Sequence, residues 1–507
     1  MSSVVSGATL VGVEGVRVTV EVDLLRRLPA VVIVGLPSPS VRESADRVRS
    51  AILASGHEFP RQRIVVSLAP ADLRKDGTAM DLPVAVGILA ASGQVEAQRA
   101  GRYLLAGELS LAGELRAVRG TLAFACLARD LGFVGVIVPA SCAPEAALVR
   151  GIEVRAAITL GDVAAFLRGE TELPIGVPLE TKECAFGALD LRDVRGQAGA
   201  REALEVAAAG GHNLLMEGPP GCGKTMLAAR IPSILPRMTL AEALECTRVH
   251  SVAGLHAPDA GVLTSRPFRA PHHTVSTAGL IGSMSLRPGE ASLAHNGVLF
   301  LDEFPEFPRN AREVLRGPLE DRRIVLARAS GTVVLPASFM LVAAANPCPC
   351  GNLGHPTRPC VCGETARERY RARLSGPLMD RIDLRVELSP VQPSELLRGE
   401  GGEASAAVRG RVEAARARQR ARFGEGGPAS NAEVSGEQVT EAAEATGPAL
   451  TLLQRHLEVG ACSARVGRRL LRVARTLADL DGAARVDVDH IARAVGLRCD
   501  LDDGVPS

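Results

Sequence analysis

Apolar and polar residues follow two periods along this chain, which predicts both strands and helices. In residues 1–170, short apolar runs alternate with amphipathic stretches. We expect strands at 31–36, 63–68, 135–139 and 152–157, helices at 43–55, 81–91 and 121–131, and a hairpin at 104–118 that turns near Gly113. This part is therefore expected to be an α/β or α+β domain.

Three further parts follow this domain. Residues 171–190 contain proline and lack periodicity, which indicates a linker. Residues 191–390 again alternate strand and helix patterns, and residues 391–507 become helical after a Gly/Glu-rich break at 399–403. We therefore expect an α/β multidomain protein with an N-terminal domain at 1–170, a linker at 171–190, a core domain at 191–390 and a C-terminal helical domain at 391–507.

Composition narrows the class of protein. A chain of 507 residues suggests two to four domains, and its 46% hydrophobic and 23% charged residues exclude wholesale disorder. With 58 Lys and Arg against 57 Asp and Glu, the net charge of +1 excludes a chain-wide basic coat, although a local basic surface remains compatible with it.

The expected location is the cytoplasm. The first ten residues lack the basic segment and apolar run of a signal peptide, and no 18 consecutive residues are apolar, so neither secretion nor membrane insertion is expected. The eleven cysteines are too sparse for a secreted disulfide scaffold, so we expect reduced thiols.

A phosphate-binding loop is the strongest chemical signal. An apolar strand at 213–217 precedes a G-x-x-x-x-G-K-[ST] motif and a helix through Ala229. The motif residues are Gly218, Pro219, Pro220, Gly221, Cys222, Gly223, Lys224 and Thr225. Backbone N–H groups of such a loop surround phosphate; Lys224 is expected to reach the β- and γ-phosphates of ATP, and Thr225 to ligate Mg²⁺.

Two later strands end in polar residues that suit the same site. The apolar run before Asp302 and Glu303 predicts a buried strand whose carboxyl end carries both acids. We expect Asp302 to hold Mg²⁺ through water and Glu303 to act as general base. A strand at 339–345 ends in Asn346, which either contacts the γ-phosphate or attacking water, or simply forms a strand-end turn.

Together these motifs resemble an AAA+ ATPase of the magnesium-chelatase-like branch and, within it, the YifB/ComM family. The resemblance is carried by FRAPHHT at 268–274, PGEASLAHNGVLFLDE at 288–303, NPCPCG at 346–351, DRID at 380–383 and SAR at 463–465. It implies a homo-oligomeric ring, usually a hexamer. Arg381 matches the arginine finger that completes the neighbouring subunit's site, and Arg465 matches the lid arginine that senses nucleotide in its own subunit.

The resemblance implies an ATP-driven motor on single-stranded or branched DNA, such as a helicase or branch-migration enzyme in recombination or natural transformation. It also implies a helicase-type insertion at 251–290 and a pore hairpin at 323–335, where Arg328 either meets DNA or lies on a plain solvated hairpin. His272 and His273 are interpreted as structural hydrogen-bonding residues of the insertion. Two other functions stay open: a chelatase-type motor that remodels a protein partner, and an ATP-gated scaffold.

Four cysteines directly after Asn346 form a C-x-C-x9-C-x-C pattern. Thiolates of Cys348, Cys350, Cys360 and Cys362 would suit tetrahedral Zn²⁺, and His355 could replace one of them. Four reduced cysteines or two redox-labile pairs are the alternatives.

The N-terminal domain resembles the Lon peptidase domain, which has the ribosomal S5 domain 2-like fold. The matching segments are KDGTAMD at 75–81 and LAGELSLAGEL at 105–115. A Ser–Lys dyad needs a hydroxyl beside a neutral amine, but Thr78 and Ala79 stand near the nucleophile position and Leu122 near the base position. Peptidase activity is therefore not expected.

A basic stretch at 404–422 contains six arginines at helical spacing: Arg409, Arg411, Arg416, Arg418, Arg420 and Arg422. Such a stretch is typical of a DNA-contacting helix or of a solvated lid helix, and the pattern alone leaves both open.

Overall fold

The computed structural model describes residues 2–498 apart from 76, 179–188, 258–259, 283–286, 329–330, 356, 375, 377, 392–400 and 461–462. Half of the expected linker and the expected hairpin turn at 329–330 lie outside the described residues, as does the side chain of Arg328.

The N-terminal domain is a mixed sheet flanked by helices. Its strands are β1 (Ser2–Val11), β2 (Glu14–Leu25), β3 (Ala30–Val34), β4 (Arg63–Ala69), β5 (Tyr103–Leu105), β6 (Glu108–Leu109), β7 (Leu115–Arg116), β8 (Gly135–Pro139) and β9 (Glu153–Ala157). Its helices are α1 (Pro39–Ala54), α2 (Asp81–Ala91), α3 (Ala97–Ala100), α4 (Thr121–Asp130), α5 (Ala143–Ala146) and α6 (Leu160–Leu167). Seven strands form one sheet in the order β3-β4-β2-β1-β5-β8-β9.

Most expected elements of this domain are confirmed, with corrections at their ends. Helix α2 has the expected bounds, whereas α1 begins four residues early because Ser38 caps it and Pro39 occupies its first turn. Strand β3 stops at Val34 because the next two residues have positive φ angles. The hairpin expected at 104–118 is wrong in part: β5 joins the large sheet parallel to β1 and β8, and the hairpin consists of β6 and β7 alone.

The core domain contains a five-stranded parallel sheet. Its strands are β10 (Leu214–Glu217), β11 (Phe268–Arg269), β12 (Val298–Leu301), β15 (Met340–Ala345) and β16 (Leu384–Glu387), while β13 (Arg323–Arg328) and β14 (Gly331–Pro336) form a separate hairpin. Its helices are α7 (Ala198–Gly210), α8 (Lys224–Ala228), α9 (Ile231–Ile234), α10 (Leu240–Ala253), α11 (Thr277–Ile281), α12 (Glu290–Leu293), α13 (Arg309–Glu313), α14 (Arg316–Asp321) and α15 (Glu364–Arg373).

The strand order β11-β12-β15-β10-β16 places β10 in the interior of this sheet. Parallel neighbours β15 and β16 flank it, with Leu214 opposite both Val342 and Leu384. Because all these strands run the same way, the residues that follow β10, β12 and β15 meet at one edge of the sheet. That edge carries the expected nucleotide site.

The C-terminal part is helical, as expected. It contains α16 (Ser405–Phe423), α17 (Gln438–Ala443), α18 (Gly447–Val459), α19 (Ala464–Asp481) and α20 (Val488–Gly496). Apolar side chains of α16 and α19 pack against α7 of the core in one continuous buried cluster, as the buried Leu204, Val412 and Leu477 show. Among the helices of the described residues, none is both long and apolar enough to cross a membrane.

Hydrogen bonds and apolar packing both join the N-terminal domain to the core. The buried carboxylate of Glu145 accepts hydrogen bonds from Ser251 Oγ at 2.6 Å and from the backbone N–H of Leu122 at 3.1 Å. At the turn between β1 and β2, Val13 is buried in the same apolar cluster as Ile324 and Leu335 of the β13–β14 hairpin. The hairpin that the family resemblance assigns to a ring pore is therefore supported at its base by the N-terminal domain.

Candidate functional site: a nucleotide site at the carboxyl edge of the core sheet

The phosphate loop runs from the end of β10 to the start of α8. Gly221 and Gly223 have φ angles of +81° and +96°, a left-handed conformation that side chains with a Cβ rarely adopt. Gly223 leads directly into α8, which begins at Lys224. The contiguous motif thus adopts the strand–loop–helix geometry that phosphate binding requires.

Lys224 is held inside this loop. Its Nζ atom donates to the carbonyl oxygens of Gly218 at 2.6 Å and Pro219 at 3.1 Å, and to Oδ1 of Asn346 at 3.2 Å. Asn346, which directly follows the neighbouring strand β15, therefore lies beside the ammonium group. A phosphate at the loop would meet both side chains.

Thr225 and Asp302 are adjacent although 77 residues separate them. The Thr225 hydroxyl donates to Oδ2 of Asp302 at 2.7 Å, and Oδ1 of the same carboxylate accepts the Glu303 backbone N–H at 2.9 Å. A hydroxyl and a carboxylate are oxygen ligands of the kind that Mg²⁺ prefers. The donor set fits a magnesium nucleotide: oxygens for the metal, and an ammonium group with backbone N–H groups for the phosphates.

The carboxylate of Glu303 contacts a histidine. Its φ angle of +51° lies in the left-handed region, and its Oε2 atom lies 3.0 Å from Nδ1 of His273. The His273 ring packs against His272 with centroids 4.1 Å apart. The sequence interpretation treated His273 as a hydrogen-bonding residue within the insertion; its partner is instead the expected general base, 30 residues away, and no local pattern could indicate that contact.

The two arginines assigned by family resemblance lie together, at the opposite edge of the sheet. Asn213, just before β10, donates through Nδ2 to the Arg381 carbonyl at 2.8 Å, while the phosphate loop follows the other end of β10. Four strand residues at about 3.3 Å each place the two edges roughly 13 Å apart. Arg465 lies 3.6 Å from Asp380 and borders the same cavity of about 320 Å³ as Arg381.

The charges around this arginine pair are balanced only in part. Arg381 forms an ion pair with Glu320, and Arg469 and Arg465 share Asp380. Burial, together with the nearby Arg316 and Arg465 guanidinium groups, lowers the pKa of Arg381. This excess of positive charge suits an incoming anion. Arg465 lies at the start of the lid helix α19, beside Arg381, and its role as the arginine that senses nucleotide in its own subunit stays a prediction.

The four cysteines of the C-x-C-x9-C-x-C pattern converge. Their ligand atoms all lie within 4.8 Å of one another. The Sγ atom of Cys348 lies 3.4 Å from that of Cys350 and 3.6 Å from that of Cys360. Backbone N–H groups of Asn352 and Val361 lower the pKa of Cys350 to about 6. His355 is occupied by the loop, since its Nδ1 accepts backbone N–H groups of Thr357 and Arg358 at 3.2 Å.

Two other sequence hypotheses can be compared with the structure. In the N-terminal domain, Ala79 and Leu122 are both buried in one apolar cluster, and the hydroxyl of Thr78, the other residue near the nucleophile position, donates to Glu108. In the basic helix α16, most arginines contact the protein itself: Arg411 binds Glu205 and Glu403, Arg422 binds Asp479, and Arg409, Arg416 and Arg418 donate to backbone carbonyls. These contacts favour the lid-helix interpretation over the DNA-contact interpretation.

Three family models match successive parts of the chain. The model described as "Subunit ChlI of Mg-chelatase" matches residues 20–142, "Magnesium chelatase, subunit ChlI" matches residues 190–396, and "Magnesium chelatase, subunit ChlI C-terminal" matches residues 402–498. The matches include all three parts of the structure and the whole nucleotide site.

Individual relatives match along nearly the full length. The chain is 41% identical over 507 residues to the competence protein ComM of Haemophilus influenzae, with 98% of this chain and 97% of ComM covered. It is 41% identical over 499 residues to YifB of Escherichia coli, again covering 98% and 97%. A more distant match, 28% over 223 residues, is to the Holliday junction branch migration complex subunit RuvB of Mycobacterium ulcerans and covers 41% of this chain and 48% of RuvB.

Proposed function

The chain belongs to the YifB/ComM family of magnesium-chelatase-like proteins, and on this premise we propose that it is an ATP-hydrolysing AAA+ ring motor that acts on single-stranded or branched DNA. The observation that carries the hydrolase part is the meeting of Lys224, Thr225, Asp302, Glu303 and Asn346 at one sheet edge. Lys224 contacts Asn346, and Thr225 contacts Asp302. Glu303 follows Asp302 and donates its backbone N–H to that carboxylate, while its own carboxylate contacts His273.

Each of these residues has a defined task in hydrolysis. The loop N–H groups and Lys224 bind the phosphates, and Asn346 orients the γ-phosphate or the attacking water. Mg²⁺, when bound at Thr225 and Asp302, neutralises charge that develops on the phosphate oxygens. Glu303 accepts the proton of the attacking water, and His273 sets the direction of the Glu303 carboxylate. We also propose that the four cysteines bind a structural Zn²⁺ ion.

Homo-oligomer formation follows from the arginine pair. The Arg381 backbone lies at the edge of the sheet opposite its own phosphate loop, which supports a role for its guanidinium at the phosphates of another subunit. A subunit with its nucleotide at one edge and its arginines at the other assembles head to tail, and closed assembly of this kind gives a ring, here proposed to be a hexamer. Arg465, which borders the same cavity as Arg381, is proposed as the lid arginine that senses nucleotide in its own subunit.

DNA is proposed as the substrate from the relatives' names. ComM is a competence protein, and the regional relative RuvB is a subunit of a Holliday junction branch migration complex. Helicase or branch-migration action in recombination or natural transformation would fit both names. The second candidate, a chelatase-type motor that remodels a protein partner, is supported by the three chelatase family matches. An ATP-gated scaffold that does not hydrolyse ATP is disfavoured by the placement of Glu303.

The deciding experiment is the steady-state ATPase rate of the full chain without DNA and with single-stranded, double-stranded or four-way-junction DNA. Glu303→Gln removes the general base and should reduce the rate by about 10²–10⁴-fold. Glu313→Gln, an exposed acid on α13 that pairs with Arg309, is the matched control and should keep the wild-type rate.

The two candidate functions give different results in this assay. Stimulation by single-stranded or junction DNA, absent in Glu303→Gln, supports the DNA motor. Hydrolysis at the same rate with every DNA contradicts it and favours remodelling of a protein partner. Absence of hydrolysis under all conditions contradicts both motors and favours the scaffold.

A further inference from the structure

The four-cysteine loop lies against the nucleotide site instead of apart from it. We infer that this loop, closed by Zn²⁺, is a brace that holds the phosphate loop and Asn346 in their binding geometry. The inference rests on the proposed nucleotide site. It adds a structural metal on which nucleotide binding depends and assigns the cysteines a task outside the chemistry of hydrolysis.

The sulfur positions fit tetrahedral zinc. Zn–S bonds of about 2.3 Å make a tetrahedron whose sulfur–sulfur edges are about 3.8 Å long. The observed Sγ–Sγ distances are 3.4 Å for Cys348–Cys350, 3.6 Å for Cys348–Cys360 and 3.7 Å for Cys350–Cys360. A disulfide needs about 2.05 Å, so these spacings favour a shared metal over a covalent pair. Four protein sulfurs leave no position for catalytic water, which indicates a structural role.

Backbone amides support the same set of sulfurs. The Cys350 N–H donates to Cys362 Sγ at 3.4 Å, and the Leu353 N–H donates to Cys348 Sγ at 3.4 Å. Such donors stabilise thiolate charge around a metal and orient the ligands. All four cysteines therefore belong to one site, because these contacts join the first C-x-C pair to the second.

The loop contacts the phosphate loop directly at Gly351. This residue follows Cys350 and has a φ of +79°. A Cβ atom placed on it would lie 2.6 Å from Cδ of Pro220, within the phosphate loop. The Gly351 backbone therefore lies against the Pro220 ring, with no room for a methyl group between them. Whatever holds the cysteine loop in place also limits the movement of Pro220.

The two ends of the loop are tied to the rest of the site. At its start, Asn346 binds Lys224, and its backbone is hydrogen-bonded to the hydroxyl of the buried Tyr370 on α15. Helix α15 begins directly after the last cysteine, and at its end Arg373 lies 3.1 Å from Glu306, three residues after Glu303. The metal loop and α15 together therefore connect the phosphate loop, Asn346 and the segment that follows Glu303.

Two glycines of the same loop offer a matched pair of variants that leave every cysteine intact. Gly351 and Gly354 have nearly equal φ angles, +79° and +76°, so an alanine at either position meets the same backbone strain. Only Gly351 lies against Pro220; a Cβ on Gly354 would have no atom within 4 Å. A difference between Gly351→Ala and Gly354→Ala therefore isolates the contact with the phosphate loop.

The first measurement is metal content of the purified full chain by mass spectrometry. Wild type, Gly351→Ala, Gly354→Ala and Lys224→Ala should each carry one zinc per chain, and the Cys350→Ser/Cys360→Ser double variant should carry none. Cys126→Ser, in the N-terminal domain, is the control and should keep the metal. Exchange with Co²⁺ should produce thiolate-to-cobalt charge-transfer absorption in wild type. Wild type without zinc, or zinc retained in the double variant, overturns the site.

The second measurement is binding of a fluorescent ADP analogue, which needs no hydrolysis. Gly351→Ala should bind it roughly tenfold more weakly, comparable with the loss of a supporting contact around a site, while Gly354→Ala binds normally. The zinc-free double variant should show the same weakening. Normal binding by Gly351→Ala and by the zinc-free variant overturns the brace. A wild type that binds zinc and nucleotide but does not hydrolyse ATP would contradict the proposed function alone.

Discussion

Nδ1 of His273 lies 3.0 Å from Oε2 of Glu303, which makes a histidine of the insertion the neighbour of the expected general base. Glu303 has a left-handed backbone conformation and is more than half exposed, so little else fixes the direction of its carboxylate. The contact holds Glu303 in a defined orientation and couples the insertion to the hydrolytic site.

We predict that His273→Ala lowers the kcat of ATP hydrolysis by about tenfold while the KM for ATP changes little, because His273 acts through the general base and not through the phosphates. A double-mutant cycle with Glu303→Gln checks this. If His273 acts through Glu303, the double variant hydrolyses ATP no more slowly than Glu303→Gln alone. Additive losses would show that His273 acts elsewhere.

The candidate site could be predicted from sequence wherever its residues are contiguous or follow parallel strands. The eight-residue phosphate loop contains its whole motif, and Asp302 was expected there because ligands bind at the carboxyl ends of strands in such sheets. For Asn346 the sequence left open a contact at this site or a simple strand-end turn. The contact between His273 and Glu303 depends on how the insertion folds back, and the position of Arg465 depends on how α19 packs against α7. Both are set by long-range packing.

The fold likewise divides into elements that the local sequence predicts and elements that depend on distant parts of the chain. Helix α2 is apolar after Asp81, its first residue, and has the expected bounds. The long β1–β2 hairpin was not predicted, although the alternating valines of β2, at positions 16, 18, 20 and 22, carry the period of two that would have indicated it. Strand β5 was assigned to a local hairpin because its partners, β1 and β8, are distant in sequence.

Arg381 should be required by a neighbouring subunit and not by its own. We predict that Arg381→Ala lowers kcat by about 10³-fold or more and leaves binding of a fluorescent ADP analogue nearly unchanged, because the guanidinium stabilises charge of the transition state from across the interface. Arg168→Ala, which breaks an exposed pair with Glu170 in the N-terminal domain, is the control and should keep full activity.

Mixing two inactive variants tests the direction of this contact. Lys224→Ala removes nucleotide binding but keeps Arg381, whereas Arg381→Ala keeps the phosphate loop. In mixed assemblies, an intact phosphate loop can meet an intact arginine of its neighbour, so ATPase activity should partly return. No return of activity in mixtures shown to contain both variants would contradict action across the interface.

Glu145 should stabilise the contact between the N-terminal domain and the core. Its buried carboxylate accepts hydrogen bonds from Ser251 Oγ and from the Leu122 N–H. Glu145→Ala leaves these two buried donors without their acceptor and should lower the free energy of unfolding by about 1–3 kcal/mol. Glu145→Gln keeps an acceptor oxygen and should cost less. Glu172→Ala, at a side chain that is 70% exposed, should be nearly neutral.

Hydrogen exchange locates the effect of Glu145→Ala. Faster exchange should be confined to α10, which carries Ser251, and to the start of α4, where Leu122 lies. Thermal unfolding of the same variants gives the size of the loss. Equal stability of Glu145→Ala and wild type, with unchanged exchange in α10, would contradict a stabilising contact there.

The buried His212 should make stability fall in weak acid. Its Nδ1 lies 3.1 Å from Asp383 and its Nε2 lies 2.8 Å from Thr476 Oγ1 of the lid helix α19. Burial lowers the pKa of His212 below its ordinary value of 6.5 despite the opposing effect of Asp383. Below pH 6.5 the unfolded chain therefore binds a proton that the folded chain binds only at lower pH, and unfolding becomes easier.

We predict that the free energy of unfolding falls by up to about 1.4 kcal/mol per pH unit below pH 6.5 from this one group, and that this contribution to the slope disappears in His212→Gln. Asp383 affects stability in a separate pH range. Arg472 and His212 outweigh the effect of burial and lower the pKa of Asp383, so the stabilisation that it provides is lost only below pH 3.8. Urea unfolding between pH 5 and 7.5 measures the slope, and His456→Gln, on the partly exposed helix α18, is the control. An unchanged slope in His212→Gln would show that another group binds the proton.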